Sequence, residues 1–157
     1  MKYIKTTKDF CLLYTKNKSS DSELIGYSDA EYAGSVEDRR STSGYVFTYK
    51  NCLVTLNSGK QKKVSLSSTE EEYIALTTAV KEAIWLRPLL MELNRNQEEV
   101  KIFCDNKSTI CLTKNPEFHA GTKHIDIRNH FIKDKINEKL IKVEYVSTRD
   151  VIRYDVS

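Results

Sequence analysis

Apolar positions along this chain follow two rhythms, and the change between them comes at Thr69. Before it, short apolar runs bounded by turn residues predict strands at Phe10–Thr15, Leu24–Ser28, Gly44–Tyr49 and Cys52–Leu56. Lys50-Asn51 is short enough to close a hairpin between the last two. From Thr69 onward, Tyr73, Leu76, Val80, Ala83 and Ile84 recur at three- and four-residue steps, the period of a helix. Pro88 has no N–H to offer the Ile84 carbonyl, so a kink or an end is expected there, with Leu89–Leu93 as a further turn. Val100–Cys104 then reads as a buried strand, Asn106–Thr113 as a short helix and Ile141–Val146 as a last strand. Ile127, Phe131, Ile136 and Leu140 mark the face of another helix. A hairpin followed by strands alternating with helices implies an α/β or α+β layer, a mixed sheet covered by helices. Residues 16–23 are a polar loop, and no repeat or linker divides the chain.

Composition narrows the class without naming a function. A length of 157 residues fits one domain, long enough to bury roughly 70% of the surface of the unfolded chain. With 39% hydrophobic and 30% charged residues, and only five Gly and two Pro, the chain is expected to fold rather than remain disordered. No run approaches the ~20 apolar residues of a membrane span, and the start MKYIKTTKDF lacks a secretory signal, so an intracellular protein, cytoplasmic or nuclear, is expected. Cys11, Cys52, Cys104 and Cys111 form no CxxC pair, and three lie in apolar runs, which favours buried free thiols. The net charge of +3 is too small to identify a nucleic-acid partner. Positive charge does concentrate at Arg39-Arg40, at Lys60, Lys62 and Lys63, and through Arg128, Lys133, Lys135, Lys139 and Lys142. Solvated faces explain each cluster equally well.

Three acids fall at predicted element ends: Asp29 after the second strand, Glu72 at the start of the long helix and Asp105 after Val100–Cys104. Carboxylates so placed can converge at one sheet edge, where oxygen ligands suit hard divalent cations and two such ions about 3.5–4 Å apart clamp a phosphodiester under attack. Each also has a local use. Asp29 suits a turn before Glu31, Glu72 a capping box with Thr69, and Asp105 a cap for the helix beginning near Asn106. Taken singly, these are the commoner uses of such acids. His124 and His130 lie six apart, on different helical faces, and with His119 they offer no zinc spacing; a satisfied histidine at a helix start is the favoured role of His124. Tyr73 and Trp85 are expected in the core rather than as base-stacking platforms.

Five segments carry more weight together: YSDAEYAG (27–34), DRRSTSGYVF (38–47), SLSSTEEEYIAL (65–76), IFCDNKSTI (102–110) and TKHIDIRNHFIKDKI (122–136). In order and spacing they resemble the ribonuclease H domain of copia-type retrotransposon Pol polyproteins. The resemblance implies a ribonuclease H-like fold with a mixed five-stranded sheet flanked by helices. It implies magnesium-dependent endonucleolytic hydrolysis of the RNA strand of RNA–DNA hybrids, with two Mg2+ ions held by Asp29, Glu72 and Asp105 and with Mn2+ as a substitute. Glu72 rather than Glu70 or Glu71 is assigned by its place before YIAL. An acidic order with glutamate second separates this reading from integrases and transposases of the same superfamily, which place it late.

The resemblance also implies departures. Residues 1–20 correspond to the connection preceding the domain, so the reverse transcriptase region is expected to be absent from this chain. Residues 147–157 diverge where the family has a C-terminal helix, which is therefore expected to be truncated or altered. Tyr154 falls where that helix carries a fourth metal-binding aspartate. Asp155 is turned away by about 100° and Asp150 sits one turn earlier, so neither is an equivalent substitute. Lys60, Lys62, Lys63 and Arg128 are the candidate phosphate contacts. A catalytically inactive remnant that at most binds nucleic acid is the alternative reading.

Overall fold

The computed structural model describes residues 14, 23–31, 41–61, 68–95, 97–114 and 123–147, and of these the side chains of Glu31 and residues 123–125 are left aside. The first predicted strand, all but the last residue of the loop at 16–23, and the divergent C-terminus lie outside the described residues, apart from Tyr14 and Ser147.

The hairpin forms where the sequence placed it. Strand β2 (Thr42–Tyr49) turns back into β3 (Cys52–Lys60) through Lys50 and Asn51, whose φ angles of 53° and 60° give the turn its left-handed pair. Such a turn matches the twist of the strands it joins. Strand β1 (Leu24–Glu31) lies antiparallel to β2, and β4 (Val100–Cys104) and β5 (Ile141–Tyr145) add in parallel on its other side. The sheet order is β3-β2-β1-β4-β5. Parallel pairing needs crossovers, which are supplied by α1 (Ser68–Glu92) between β3 and β4, and by α2 (Lys107–Lys114) and α3 (Lys123–Asn137) between β4 and β5. The mixed five-stranded sheet with flanking helices is the expected fold.

One face of the sheet is the core. Leu24, Val100, Ile102, Cys104, Ile141 and Val143 are buried on it, at alternating positions that a strand sends to one side. Tyr73, Leu76, Val80 and Leu86 of α1 are buried with them, and Ala75, Ala79 and Ala83 at every fourth position keep that helix close to the strands. Gly26 makes room for Phe47: a Cβ there would lie 2.5 Å from the Phe47 ring.

The structure departs from expectation where caps override pattern. Helix α1 does not end at Pro88 but runs to Glu92, so the further turn expected at Leu89–Leu93 continues the same helix, and the loss of one hydrogen bond is borne by a 25-residue helix packed over the sheet. Its stop is Asn94, at φ 55°, where Asn94 N donates to Met91 O and Arg95 N to Leu90 O in the paired bonds of a Schellman motif. Leu140 likewise does not extend α3. Lys139, at φ 56°, and Leu140 close the same motif onto Ile136 and Lys135. Within α3 Asn129 and Ile132 are buried, and Phe131 and Ile136 of the predicted face pack against the core while Ile127 is exposed, so the core face overlaps the predicted one and is centred on Ile132. Trp85 is 61% exposed, a correction to its core placement, because twelve residues beyond Tyr73 turn the helix by about 120°. Cys111 is exposed and Cys52 half-buried; among the described cysteines only Cys104 is the buried thiol expected.

Candidate active site at the ends of β1 and β4

Because β1 and β4 are parallel neighbours with Ser28 opposite Cys104, the next residues, Asp29 within β1 and Asp105 just beyond β4, lie at the same edge of the sheet. The first turns of α1 lie over the same ends and bring Glu72 down to them. Ligand atoms of Glu72, Cys104 and Asp105 all lie within 4.8 Å of one another. Asp29 is exposed at the mouth and close enough for its charge to act on Glu72. Of the three acids chosen from sequence, Glu72 and Asp105 come within ligand distance of each other, and Asp29 acts on Glu72 through its charge.

The structure also disposes of their local uses. Asp29 is not in a turn; it pairs with Gly44 inside β1. The cap of α2 is Asn106, whose Oδ1 accepts the Thr109 N–H at 3.0 Å, so Asp105 is not needed there. Glu72 lies beyond the first turn of a helix that begins at Ser68, and its carboxylate accepts the Ala30 amide from β1.

Electrostatics makes this an unsatisfied place. Burial, then the charges of Asp105 and Asp29, push Glu72 up to about 8, against the pull of the Ala30 amide and with Glu71 adding to the rise. Glu72 is only 7% exposed, and its Oε2 is buried with no hydrogen-bond partner. The donor set of three carboxylates is hard, which fits a divalent ion such as Mg2+. Burial pushes the neighbouring Cys104 thiol up to about 12, with Glu72 and Asp105 adding to the rise and the Asn106 amide and Ser28 opposing it, so it stays protonated beside them. Sequence reasoning missed Cys104; the signal was its position one residue before Asp105, where strand alternation turns it toward the core.

The first turn of α1 is fixed by a buried polar cluster. The Ser41 hydroxyl donates to Glu71 Oε1, Gln61 Nε2 donates to the Glu71 carbonyl at 3.3 Å, and Gln61 N donates to the Ser41 carbonyl at 2.8 Å. These bonds tie the helix start to β2 and to the end of β3. One step deeper, Tyr73 donates to Asn129 Oδ1 at 3.1 Å and anchors α3.

Of the predicted phosphate contacts, Lys60 and Arg128 come together along one groove of about 430 Å³ between the β2–β3 hairpin and α1, with Tyr45, Asn57, Ile74 and Thr78 also lining it. Lys62 and Lys63 lie outside the described residues, as do Arg39, Arg40, His119, Asp150, Tyr154 and Asp155. His124 belongs to the first turn of α3, and His130 is exposed. Among the described residues no helix is long and apolar enough to cross a membrane.

No family model matches the chain. It is 42% identical over 150 residues to the retrovirus-related Pol polyprotein from transposon TNT 1-94 of Nicotiana tabacum, covering 96% of this chain and 11% of that protein. The corresponding polyprotein from transposon RE1 of Arabidopsis thaliana is 39% identical over 134 residues, covering 85% of this chain and 9% of its own length. The chain therefore spans about a tenth of the length of these two polyproteins. Among solved structures, LC11-RNase H1, isolated from compost by a metagenomic approach, superposes with a TM-score of 0.61 at 14% identity, covering 82% of this chain and 86% of that one. The crystal structure of LC11-RNase H1 in complex with RNA/DNA hybrid gives 0.57 at 15% identity, over 81% and 87%. With the sheet, the crossovers and the sequence relatives in agreement, this chain belongs with the retrovirus-related Pol polyproteins of copia-type plant transposons and has the ribonuclease H fold.

Proposed function

We propose that the chain is a metal-dependent endonuclease that hydrolyses the RNA strand of RNA–DNA hybrids. The observation that carries this reading is that Glu72 and Asp105 come within ligand distance of each other at one sheet edge, with the charge of Asp29 acting on Glu72 and a Glu72 oxygen buried and unpartnered. When bound there, a pair of divalent cations, Mg2+ or in its place Mn2+, would supply the Lewis acidity that activates water and stabilises the leaving 3′ oxygen. Asp29, Glu72 and Asp105 are the residues that would hold them. The chain's own part is placement. The Ala30 amide orients the Glu72 carboxylate, and the Ser41–Glu71–Gln61 cluster keeps the first turn of α1 from yielding when charge accumulates beneath it.

Lys60 and Arg128 would take backbone phosphates along the groove, and contacts to 2′-hydroxyls would choose the RNA strand. Support from comparison is the sequence kinship with Pol polyproteins and the shared fold with LC11-RNase H1, which has been crystallised with an RNA/DNA hybrid. Asp155 or Asp150 would have to replace the fourth carboxylate expected where Tyr154 stands; with neither in its place, cutting is slow with Mg2+ and partly rescued by Mn2+.

The test is cleavage of an end-labelled hybrid by the purified chain with Mg2+, with Mn2+ and with EDTA. Internal cuts in the RNA strand that EDTA abolishes support the reading. Hybrid that is bound and left uncut selects the inactive remnant, and a chain that neither binds nor cuts removes both.

A further inference from the structure

We propose that Cys104, Glu72 and Asp105 form a site for a soft divalent cation, Zn2+ foremost, and that its occupation blocks the hydrolysis described above. Only the second clause rests on the ribonuclease reading; the zinc site stands or falls by itself.

Two independent observations point to it. The Cys104 Sγ lies within 4.8 Å of a Glu72 and an Asp105 carboxylate oxygen, and Glu72 Oε2, on a residue only 7% exposed, has no hydrogen-bond partner. The three come from different backbone settings, namely a strand's last residue, the residue after it and a helix facing both, so they surround a point rather than line up along one element. Zinc bonds of about 2.3 Å to sulfur and about 2.0–2.2 Å to oxygen in a tetrahedron put ligands about 3.3–3.6 Å apart, so a cluster whose atoms lie within 4.8 Å of one another needs to contract by no more than about 1.5 Å. Rotation of the two carboxylates about their side-chain bonds covers that distance. A water would complete the shell as the fourth ligand.

The chemistry separates this site from one for magnesium. Sulfur is a poor ligand for Mg2+ and a good one for Zn2+, so the same pocket presents two faces to two classes of ion: three oxygens to a hard cation, and one sulfur with two oxygens to a soft one. On zinc binding the Cys104 S–H bond breaks, its proton passes to solvent and the thiolate pair bonds to the metal; any proton on Glu72 leaves likewise. No electron is transferred. A thiolate and two carboxylates outweigh the ion's charge by one, where the carboxylates alone would only balance it.

The full chain, kept reduced, is titrated with Cd2+ while the ultraviolet thiolate-to-metal charge-transfer band is followed, and Zn2+ affinity is measured by competition with a chromophoric chelator. Cys104→Ser is expected to remove the band's tightest phase and to weaken Zn2+ by about tenfold or more. Glu72→Gln, which keeps the buried thiol, is expected to weaken Zn2+ to a similar degree, so the result does not depend on how well Cys104→Ser folds. Unchanged Zn2+ affinity in either folded variant, or a wild-type chain with no thiolate band, overturns the site. In the hybrid assay, the Zn2+ concentration that halves Mg2+-dependent cleavage should rise about tenfold in Cys104→Ala relative to wild type. A chain that fails to cut yet loses its tight band in Cys104→Ser keeps the zinc site and removes the ribonuclease reading. A chain that cuts while Cys104→Ser binds Zn2+ like wild type does the reverse.

Discussion

Two groups of charged side chains in this protein are handled in opposite ways. Around the rim of β4, β5 and α3, charges are exposed or half-buried and matched pairwise: Lys101 with Glu23 at 2.7 Å, Lys142 with Glu144 at 2.6 Å and Lys135 with Glu138 at 2.8 Å. Glu144 is held below its usual range by the hydrogen bond and charge of Lys142, and Lys142 is raised by the same contact. At the ends of β1 and β4, three carboxylates of one sign gather against a buried helix start. The rim is a finished arrangement that water screens, and pairs of that kind contribute little. The acidic cluster sets like charges around the buried Glu72, and a cation bound there would be screened less than the rim pairs are.

The sharpest break in this contrast is to remove one of the buried acids. Glu72→Gln or Asp105→Asn should lower metal-dependent hybrid cleavage by about 10²–10³-fold, the order seen when one preorganised electrostatic group is lost from an active site. Single-turnover rates at saturating hybrid would check it, and a fall of less than tenfold would return both acids to structural roles.

Next in size is the coupling of metal, pH and stability. Glu72 is raised from 4.5 to about 8 in the folded chain, so below pH 4.5 folded and unfolded chains both hold its proton and the full stability is present. As pH rises from 4.5 toward 8 the unfolded chain releases that proton first, and stability is lost across this window. Metal-free chain should therefore melt at a falling temperature from pH 5 to pH 8. Divalent metal at 100 times its dissociation constant should restore about 2.7 kcal/mol at the upper end, and EDTA should remove it. Asp105→Asn should flatten the metal-free slope, since Asp105 is the leading charge behind the rise. Denaturant melts across that pH range test this, and a metal-free stability that climbs with pH would contradict it.

A smaller effect is expected from the groove. If Lys60 and Arg128 each meet one phosphate, changing either to Ala should reduce the slope of log affinity against log salt by about 0.9. Slopes that stay the same would make them solvated cations of the rim type. Smallest of all, Lys101→Ala should change stability by no more than about 0.5 kcal/mol, because its partnership with Glu23 is exposed. A loss above about 2 kcal/mol would erase the distinction between rim and cleft.

Periodicity alone determined much of the molecule: the hairpin through Lys50-Asn51, the long helix from the neighbourhood of Thr69 and the buried strand Val100–Cys104 all form where the residues placed them. These depend on neighbours in sequence, where alternation, helical spacing and turn chemistry act. What periodicity could not decide was where each helix stops and which way it faces, since Asn94 and Lys139 end helices through left-handed caps that a Pro or an apolar face does not announce. Tertiary packing turned Trp85 out and Ile132 in. The acids were legible as candidates through the five motifs, yet each retained a local use until Gly44 paired with Asp29, Asn106 capped α2 and Ala30 bound Glu72. Neither the shared field of those carboxylates nor the thiol beside them can be read from a sequence, because charges 30 and more residues apart interact only after β1, β4 and α1 have been brought to one edge and Glu72 has been buried there.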